Sequence, residues 1–247
     1  MSDEQEEKLV VVIGASSDIG GAYMRLADAP HVTFVGQYHR SGDELDALGG
    51  QLQARLVSVG CDLHDDAQLD ALVSEIDARG VPHSIVFLSA PPAESERFHK
   101  KGWAPFASHL DVQLRAPVRL LQALIPKMAK QKRGQVVFVS SSYTLGVPPV
   151  GLSDYVCVKY AINGLVKSLA AEYGRKGLRF NAVSPSMVET SYLDAVPRIS
   201  VEMAAEANPL KRNATVDDVA PMIHFLLSPE AAYINGANVP ITAASAM

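Results

Sequence analysis

The stretch Leu9-Val10-Val11-Val12-Ile13, followed directly by Gly14-Ala15-Ser16-Ser17-Asp18-Ile19-Gly20-Gly21, decides how the rest of the chain is read. Its first five residues are aliphatic, mostly β-branched and unbroken. A half-exposed strand alternates apolar with polar residues, so a continuous run predicts a strand buried on both faces, as in a parallel sheet. The glycine turn comes next, and the amphipathic stretch 22–27 follows it. Strand, glycine turn and helix in that order can bind phosphate. Glycine lets the backbone approach closely, and the helix N-terminus offers free N–H groups and the positive end of its dipole. The same string also describes an ordinary strand-to-helix turn rich in small residues, and both readings stand at this point.

Outward from this unit the pattern repeats. Apolar runs recur at 32–35, 56–59, 84–88, 136–139, 178–183 and 238–242, with helical stretches at 66–79, 106–131, 154–174 and 216–227 among them. The last opens on Thr215 with Asp218 three residues on, the spacing of a capping box. Strands alternating with helices throughout predict an α/β fold: a single Rossmann-type, doubly wound parallel sheet with helices on both faces. No linker or repeat divides the chain, so residues 9–247 read as one domain and residues 1–8 as a flexible N-terminal tail. The stretch 186–208 lacks a strand pattern and reads as an inserted loop or mobile helical flap.

Composition narrows the function. The 247 residues carry a net charge of −5 and no basic tail, which argues against a nucleic-acid partner. No apolar run reaches the roughly 18 residues of a membrane span, and the acidic start is unlike a signal peptide. The two cysteines, Cys61 and Cys157, are far apart, as expected of a reduced, cytoplasmic protein. The seven histidines fit no metal-binding pattern, so no metal is expected.

A second chemical signal lies in Ser153-Asp154-Tyr155-Val156-Cys157-Val158-Lys159. Tyr155 and Lys159 are four apart and share a helix face. A phenol with pKa near 10 exchanges protons sluggishly at neutral pH, and a neighbouring ammonium draws that pKa down. A plain surface contact between the two is the alternative. Upstream, Gly134-Gln135-Val136-Val137-Phe138-Val139-Ser140-Ser141-Ser142 is a strand ending in hydroxyls; downstream, Arg179-Phe180-Asn181-Ala182-Val183-Ser184-Pro185 is a strand ending in proline.

In order and spacing this set resembles the short-chain dehydrogenase/reductase (SDR) family, over about residues 9 to 242. It is most similar to that family's 3-oxoacyl-[acyl-carrier-protein] reductases, a likeness continued by Asn208-Pro209-Leu210-Lys211-Arg212 and Asp217-Asp218-Val219-Ala220. The resemblance implies an NAD(P)-dependent carbonyl reductase. Ser141 would bind the substrate carbonyl, with Ser140 and Ser142 structural. Tyr155 would be the general acid. Lys159 would hold the nicotinamide ribose and lower the Tyr155 pKa, and hydride would pass from the nicotinamide to the carbonyl carbon. Gln113 stands where the family carries a catalytic asparagine, keeping the amide with one more methylene; the alternative is a buried amide satisfying the helix.

The same resemblance implies a cofactor site. Gly14, Ser16, Ser17, Asp18 and Ile19 would form the pyrophosphate turn. Asp18 replaces the family's middle glycine; it tolerates left-handed backbone and can cap the helix, but its carboxylate costs phosphate affinity unless it turns to N–H groups. Ser89 and Ala90 would line the adenosine ribose in a loop that Pro91 makes different. Asp62, with Leu63, would meet the adenine amine, or else Asp62 is a helix cap or turn residue. Pro185, Val188 and Thr190 would hold the carboxamide and pyrophosphate, and Tyr155 and Lys159 would also touch cofactor. At the end of strand two no acid stands ready for the ribose hydroxyls. Arg40 with His39 could pair a 2′-phosphate, so NADP(H) is favoured over NAD(H).

The expected substrate is a small carbonyl compound or a 3-oxoacyl thioester of fatty acid or polyketide synthesis, with the apolar residues of 187–208 setting its choice. Lys132, Arg133 and Lys176 match positions that contact the acyl carrier protein, and are equally ordinary partners of helix ends. A homo-oligomer, dimer or tetramer, is implied, or a hetero-oligomer with another SDR. Relatives end Asp-Gly-Gly where this chain reads Thr242-Ala243-Ala244, so the subunit contact there is expected to differ. An alcohol dehydrogenase or small-ketone reductase is the second reading. A catalytically weak relative, serving as cofactor sensor or structural partner, is the third.

Overall fold

Each apolar run forms a strand, and the seven lie in one parallel sheet: β1 (Lys8–Ile13), β2 (Val32–Tyr38), β3 (Arg55–Gly60), β4 (Ser84–Phe87), β5 (Gly134–Val139), β6 (Leu178–Pro185) and β7 (Asn238–Ile241). Their spatial order is 3-2-1-4-5-6-7. The structure is a computed structural model that describes residues 6–40 and 42–245. The expected N-terminal tail therefore falls mostly outside the described residues, while Lys8 already belongs to β1.

The unbroken apolar reading of β1 has a direct cause, since alternate residues feed two cores. Leu9, Val11 and Ile13 pack with α3 (Asp66–Asp77), α5 (Ala116–Lys130) and α6 (Ser153–Tyr173). Val10 and Val12 pack on the other face with α1 (Asp18–Leu26), α2 (Gly42–Gly49) and α8 (Val216–Leu227). No residue of β1 after Lys8 faces water, so none needs to be polar. The capping box forms as the spacing predicts, with the Thr215 N–H donating to Asp218 Oδ2 at 2.7 Å.

Two departures from the predicted elements bear on the site. β2 runs on through Gln37 and Tyr38. Gln37 is buried, its amide donating to the Cys61 carbonyl (2.7 Å) and accepting from the Gly14 N–H (2.9 Å). A polar residue that the sheet satisfies internally reads from sequence as a strand end. The helix expected over 106–131 starts at Trp103 and is split. α4 (Trp103–Leu110) passes through a single π-turn at Asp111–Arg115 before α5 begins. Pro117 is the cause: it has no N–H to donate to the Gln113 carbonyl four residues back, so the helix widens there. The stretch 186–208 holds a 3₁₀ turn (Ser191–Ala195) and α7 (Arg198–Ala207). Among the described residues no helix is long and apolar enough to cross a membrane.

Candidate active site

The strand order reverses between β1 and β4, where connections leave to opposite sides and open a crevice at the carboxyl ends of the strands. The glycine turn lies at this point. Gly14 has φ +85°, and a Cβ there would come within 2.8 Å of Ser89 N and Oγ, so the two loops touch only because residue 14 is glycine. Ser17 caps α1. Its hydroxyl accepts from the Gly20 N–H (3.1 Å) and donates to the Gly14 carbonyl (2.7 Å). Free N–H groups at the start of a helix suit a phosphate, and Ser16, Ser17 and Ile19 lie in this turn and the first residues of α1.

Asp18 is not the cap. Its Oδ2 accepts from both the N–H and the hydroxyl of Ser191, each at 2.8 Å. The next residue, Tyr192, donates its hydroxyl to the Pro91 carbonyl at 2.8 Å. The segment after β6 is thus tied to the loops after β1 and β4, on both sides of the crevice. Upstream of it, Pro185 ends β6, buried Val188 pairs with Ala214, and Thr190 donates to the Val188 carbonyl at 3.3 Å.

Around the expected adenosine end, Asp62 is a turn residue; Asp65 caps α3. The Asp62 carboxylate accepts from the His64 N–H (2.9 Å) and lies 3.8 Å from His39 Nε2. That backbone hydrogen bond, with the His64 side chain, holds it below the usual carboxylate range. The Leu63 side chain is buried in the core and its carbonyl accepts from Arg115. Ser89 and Ala90 are half-buried at the mouth, and His39 and Arg40 are exposed at the end of β2.

Ser141, Tyr155 and Lys159 meet at the end of β5. Ser141 is buried at the strand end, its hydroxyl accepting from the Tyr143 N–H at 3.3 Å, while Tyr155 and Lys159 come from the first two turns of α6. Lys159 Nζ donates to the Val139 carbonyl at 2.8 Å and lies 5.2 Å from the Tyr155 ring centroid. Burial moves the phenol opposite to the lowering expected from sequence. It pushes the phenol up to about 12, with the neighbouring Ser141 hydroxyl opposing, and it brings the Lys159 ammonium down to about 7. Ser140 and Ser142 are buried beside them, and the Ser140 hydroxyl has no partner.

Gln113 is buried in the π-turn, and its amide Nε2 lies 2.8 Å from His109 Nδ1. The amide pairs one turn back along the same helix, and its Oε1 has no hydrogen-bond partner among the described residues. A small cavity of about 10 Å³ lies between Gln113, Pro117, Ser89 and Val139, room for about one water. The imidazole of His109 also meets the Tyr155 ring edge-on, a contact that sequence reasoning missed. The only local signal was the i, i+4 spacing of His109 and Gln113.

Lys132, Arg133 and Lys176 lie before the starts of β5 and β6, at the opposite end of the strands from Ser141. Lys132 and Lys176 are exposed; Arg133 pairs with Glu6. At the C-terminal end, Ala243 and Ala244 hold left-handed backbone (φ 48° and 66°) where the resemblance places two glycines.

A doubly wound sheet with a glycine cradle at its switch point and a Ser, Tyr and Lys set at a neighbouring strand end defines a dinucleotide-dependent oxidoreductase. Comparison with known proteins agrees. The family described as enoyl-(acyl carrier protein) reductase matches residues 14–243. (+)-Borneol dehydrogenase 1 of Salvia officinalis is 32% identical over 97% of this chain and 94% of its own. The 3-oxoacyl-[acyl-carrier-protein] reductase FabG of Rickettsia felis is 26% identical, with 95% of each chain covered. A 3-oxoacyl-[acyl-carrier protein] reductase of Brucella melitensis, solved with bound NAD, superposes with a TM-score of 0.87 at 26% identity over 99% of this chain and 93% of that one. The chain belongs to the short-chain dehydrogenase/reductase family and is an NAD(P)-dependent oxidoreductase acting between alcohol and carbonyl.

Proposed function

We propose that the protein reduces a carbonyl compound with NADPH, and that a 3-oxoacyl thioester is its substrate. The observation that carries this reading is the meeting of buried Ser141, half-buried Tyr155 and buried Lys159 at the end of β5, with Lys159 Nζ 5.2 Å from the Tyr155 ring centroid. When bound, the nicotinamide supplies the hydride. The chain's own residues do the rest. Ser141 and Tyr155 are donors preplaced for the substrate oxygen, which needs stabilising most as it becomes an alkoxide. A phenol held neutral by burial keeps its proton until that oxygen develops charge, then gives it up. Lys159 holds the ribose and supplies positive charge under the phenol once paired there. The phosphates lie along Gly14, Ser16, Ser17 and Ile19, and Arg40 with His39 pairs a 2′-phosphate, since β2 ends in no acid. The protein works in the cytoplasm as a homo-oligomer.

The second reading is reduction of a small free ketone, or oxidation of the matching alcohol. It is favoured by the place of Lys132, Arg133 and Lys176, which face away from the chain's own site. A carrier docked on them would serve a neighbouring copy. Assay of acetoacetyl thioesters and free ketones with NADPH and NADH separates the two. Thioester turnover with NADPH that Tyr155→Phe abolishes supports the first. Turnover of free ketones alone favours the second, and turnover indifferent to Tyr155→Phe overturns both.

A further inference from the structure

Directly beneath Tyr155 lies a buried polar chain that the reaction outlined above does not use. Asp154, the residue before Tyr155, pairs with Lys101 at 2.7 Å, and the two side chains are 1% and 2% exposed. Lys101 Nζ also donates to the Glu94 carbonyl at 2.8 Å. His109, itself buried, presents Nε2 to Asp154 Oδ2 at 3.9 Å and Nδ1 to the Gln113 amide nitrogen at 2.8 Å. Its ring stands edge-on to Tyr155, with centroids 5.7 Å apart and planes at 80°. Tyr143 also meets it, with centroids 6.2 Å apart and planes at 74°. The Tyr155 ring thus has two near-perpendicular aromatic neighbours.

A buried ion pair is poor evidence for stability, because desolvation offsets most of the attraction; its better-attested use is to fix one arrangement. Here that arrangement is the seating of the first turn of α6 against α4. The amide sets the state of the imidazole. Gln113 Nε2 can only donate, so Nδ1 accepts and the ring proton sits on Nε2, facing the Asp154 carboxylate. A second proton on Nδ1 would set donor against donor. Side-chain length matters too. From position 113 a glutamine reaches His109 one turn back, and an asparagine, one methylene shorter, does not.

We propose that neutral His109, held by Gln113 on one side and by the Asp154–Lys101 pair on the other, is a positioning residue that fixes the Tyr155 ring for proton donation. This rests on the reading of Tyr155 as the general acid. Gln113 then has a reason of its own at the asparagine position, because its partner is His109. The groups facing His109 are Asp154, which favours its cationic form, and Lys101 and Lys159, which oppose it; burial opposes it most. The imidazole therefore stays neutral at pH 7 and loses its role on acidification.

The test is carbonyl reduction by the intact enzyme from pH 5 to 9, with a histidine ¹⁵N–¹H NMR titration of the unmodified protein. NMR is expected to show His109 neutral, protonated on Nε2 at pH 7, and kcat to fall at the pH where NMR sees it charge. His109→Gln should lower the plateau kcat roughly three- to tenfold and remove that acid limb. Gln113→Asn, although it installs the family's residue, should lower kcat by about tenfold with cofactor KM unchanged, since a misplaced reacting group costs rate rather than binding. An Nδ1-protonated His109, an acid limb unmoved in His109→Gln, or a Gln113→Asn enzyme as fast as its parent overturns the proposal. Tyr155→Phe keeps the two readings apart. If it is inactive while the His109→Gln profile is unchanged, only the positioning role fails; if it turns over normally, both fail.

Discussion

Replacing Lys159 by methionine tests whether burial or pairing governs the site. Lys159 is 3% exposed, and its one hydrogen-bond acceptor among the described residues is the Val139 carbonyl. Burial brings its pKa down from 10.5 to about 7. Between pH 7 and 10.5 the unfolded chain holds a proton at Lys159 that the folded chain has released. Stability therefore rises with pH through that window and is flat below it. Each tenfold difference in proton affinity is worth about 1.4 kcal/mol, so the full cost of burying the ammonium, met at and below pH 6, is about 5 kcal/mol. From pH 7 to pH 9 the folded chain recovers about 2 kcal/mol of it. Lys159→Met has no proton to lose, so its stability lacks this rise. Losing the bond to the Val139 carbonyl subtracts a constant of about 1–3 kcal/mol at every pH and leaves the slope untouched. Urea denaturation of both proteins at pH 7, 8 and 9, without cofactor and at two protein concentrations to separate subunit dissociation, reads the difference. Convergence of the two by about 2 kcal/mol between pH 7 and 9 is expected. Parallel curves would show Lys159 charged throughout and would refute the burial argument.

Asp18→Gly breaks the two bonds to Ser191 and, because the carboxylate is already turned to an N–H group, should leave NADPH binding no tighter; a fluorescence titration showing binding about tenfold tighter would show that the charge still repels phosphate. Arg40→Ala should raise KM for NADPH about tenfold while leaving that for NADH alone, and an unchanged ratio of the two would remove Arg40 from cofactor choice. Alanine in left-handed backbone costs roughly 1–2 kcal/mol, against about 0.5–1 kcal/mol for the greater freedom of unfolded glycine. Ala243→Gly and Ala244→Gly should therefore each stabilise the fold by about 0.5–1 kcal/mol in thermal or chemical denaturation, and a loss of stability would contradict the strain at these positions.

The fold was legible because its signals are local. Five aliphatic residues before a glycine turn specify β1 and its neighbour helix, and Thr215 with Asp218 marks the start of α8 to the residue. Ser141, Tyr155 and Lys159 were legible for a similar reason: two sit one helical turn apart, and the third ends a strand. What escaped was made through space. Gln37 reads as a strand end until the Gly14 N–H and Cys61 carbonyl satisfy it. The π-turn depends on a proline four residues after the carbonyl it orphans. Lys101 carries no local mark, because its partner Asp154 is 53 residues away.

The departures from the family pattern take on a different sense in the structure. Read singly, Asp18, Pro91 and Gln113 each suggest a site losing its function. Each has a specific partner instead. Asp18 holds Ser191, the Pro91 carbonyl holds Tyr192, and Gln113 holds His109. Chance substitutions in a decaying site would not find such partners, since nothing would keep distant residues matched to a local change. Here the matched residues come from the β6–α7 segment and from α4, which are remote in sequence or one helical turn away. Costs without an offset remain at the buried Gln113 Oε1, which has no hydrogen-bond partner among the described residues, and at Ala243 and Ala244, past the end of β7. The pattern favours an enzyme whose crevice has been rebuilt around its own contacts over a relative that has stopped turning over.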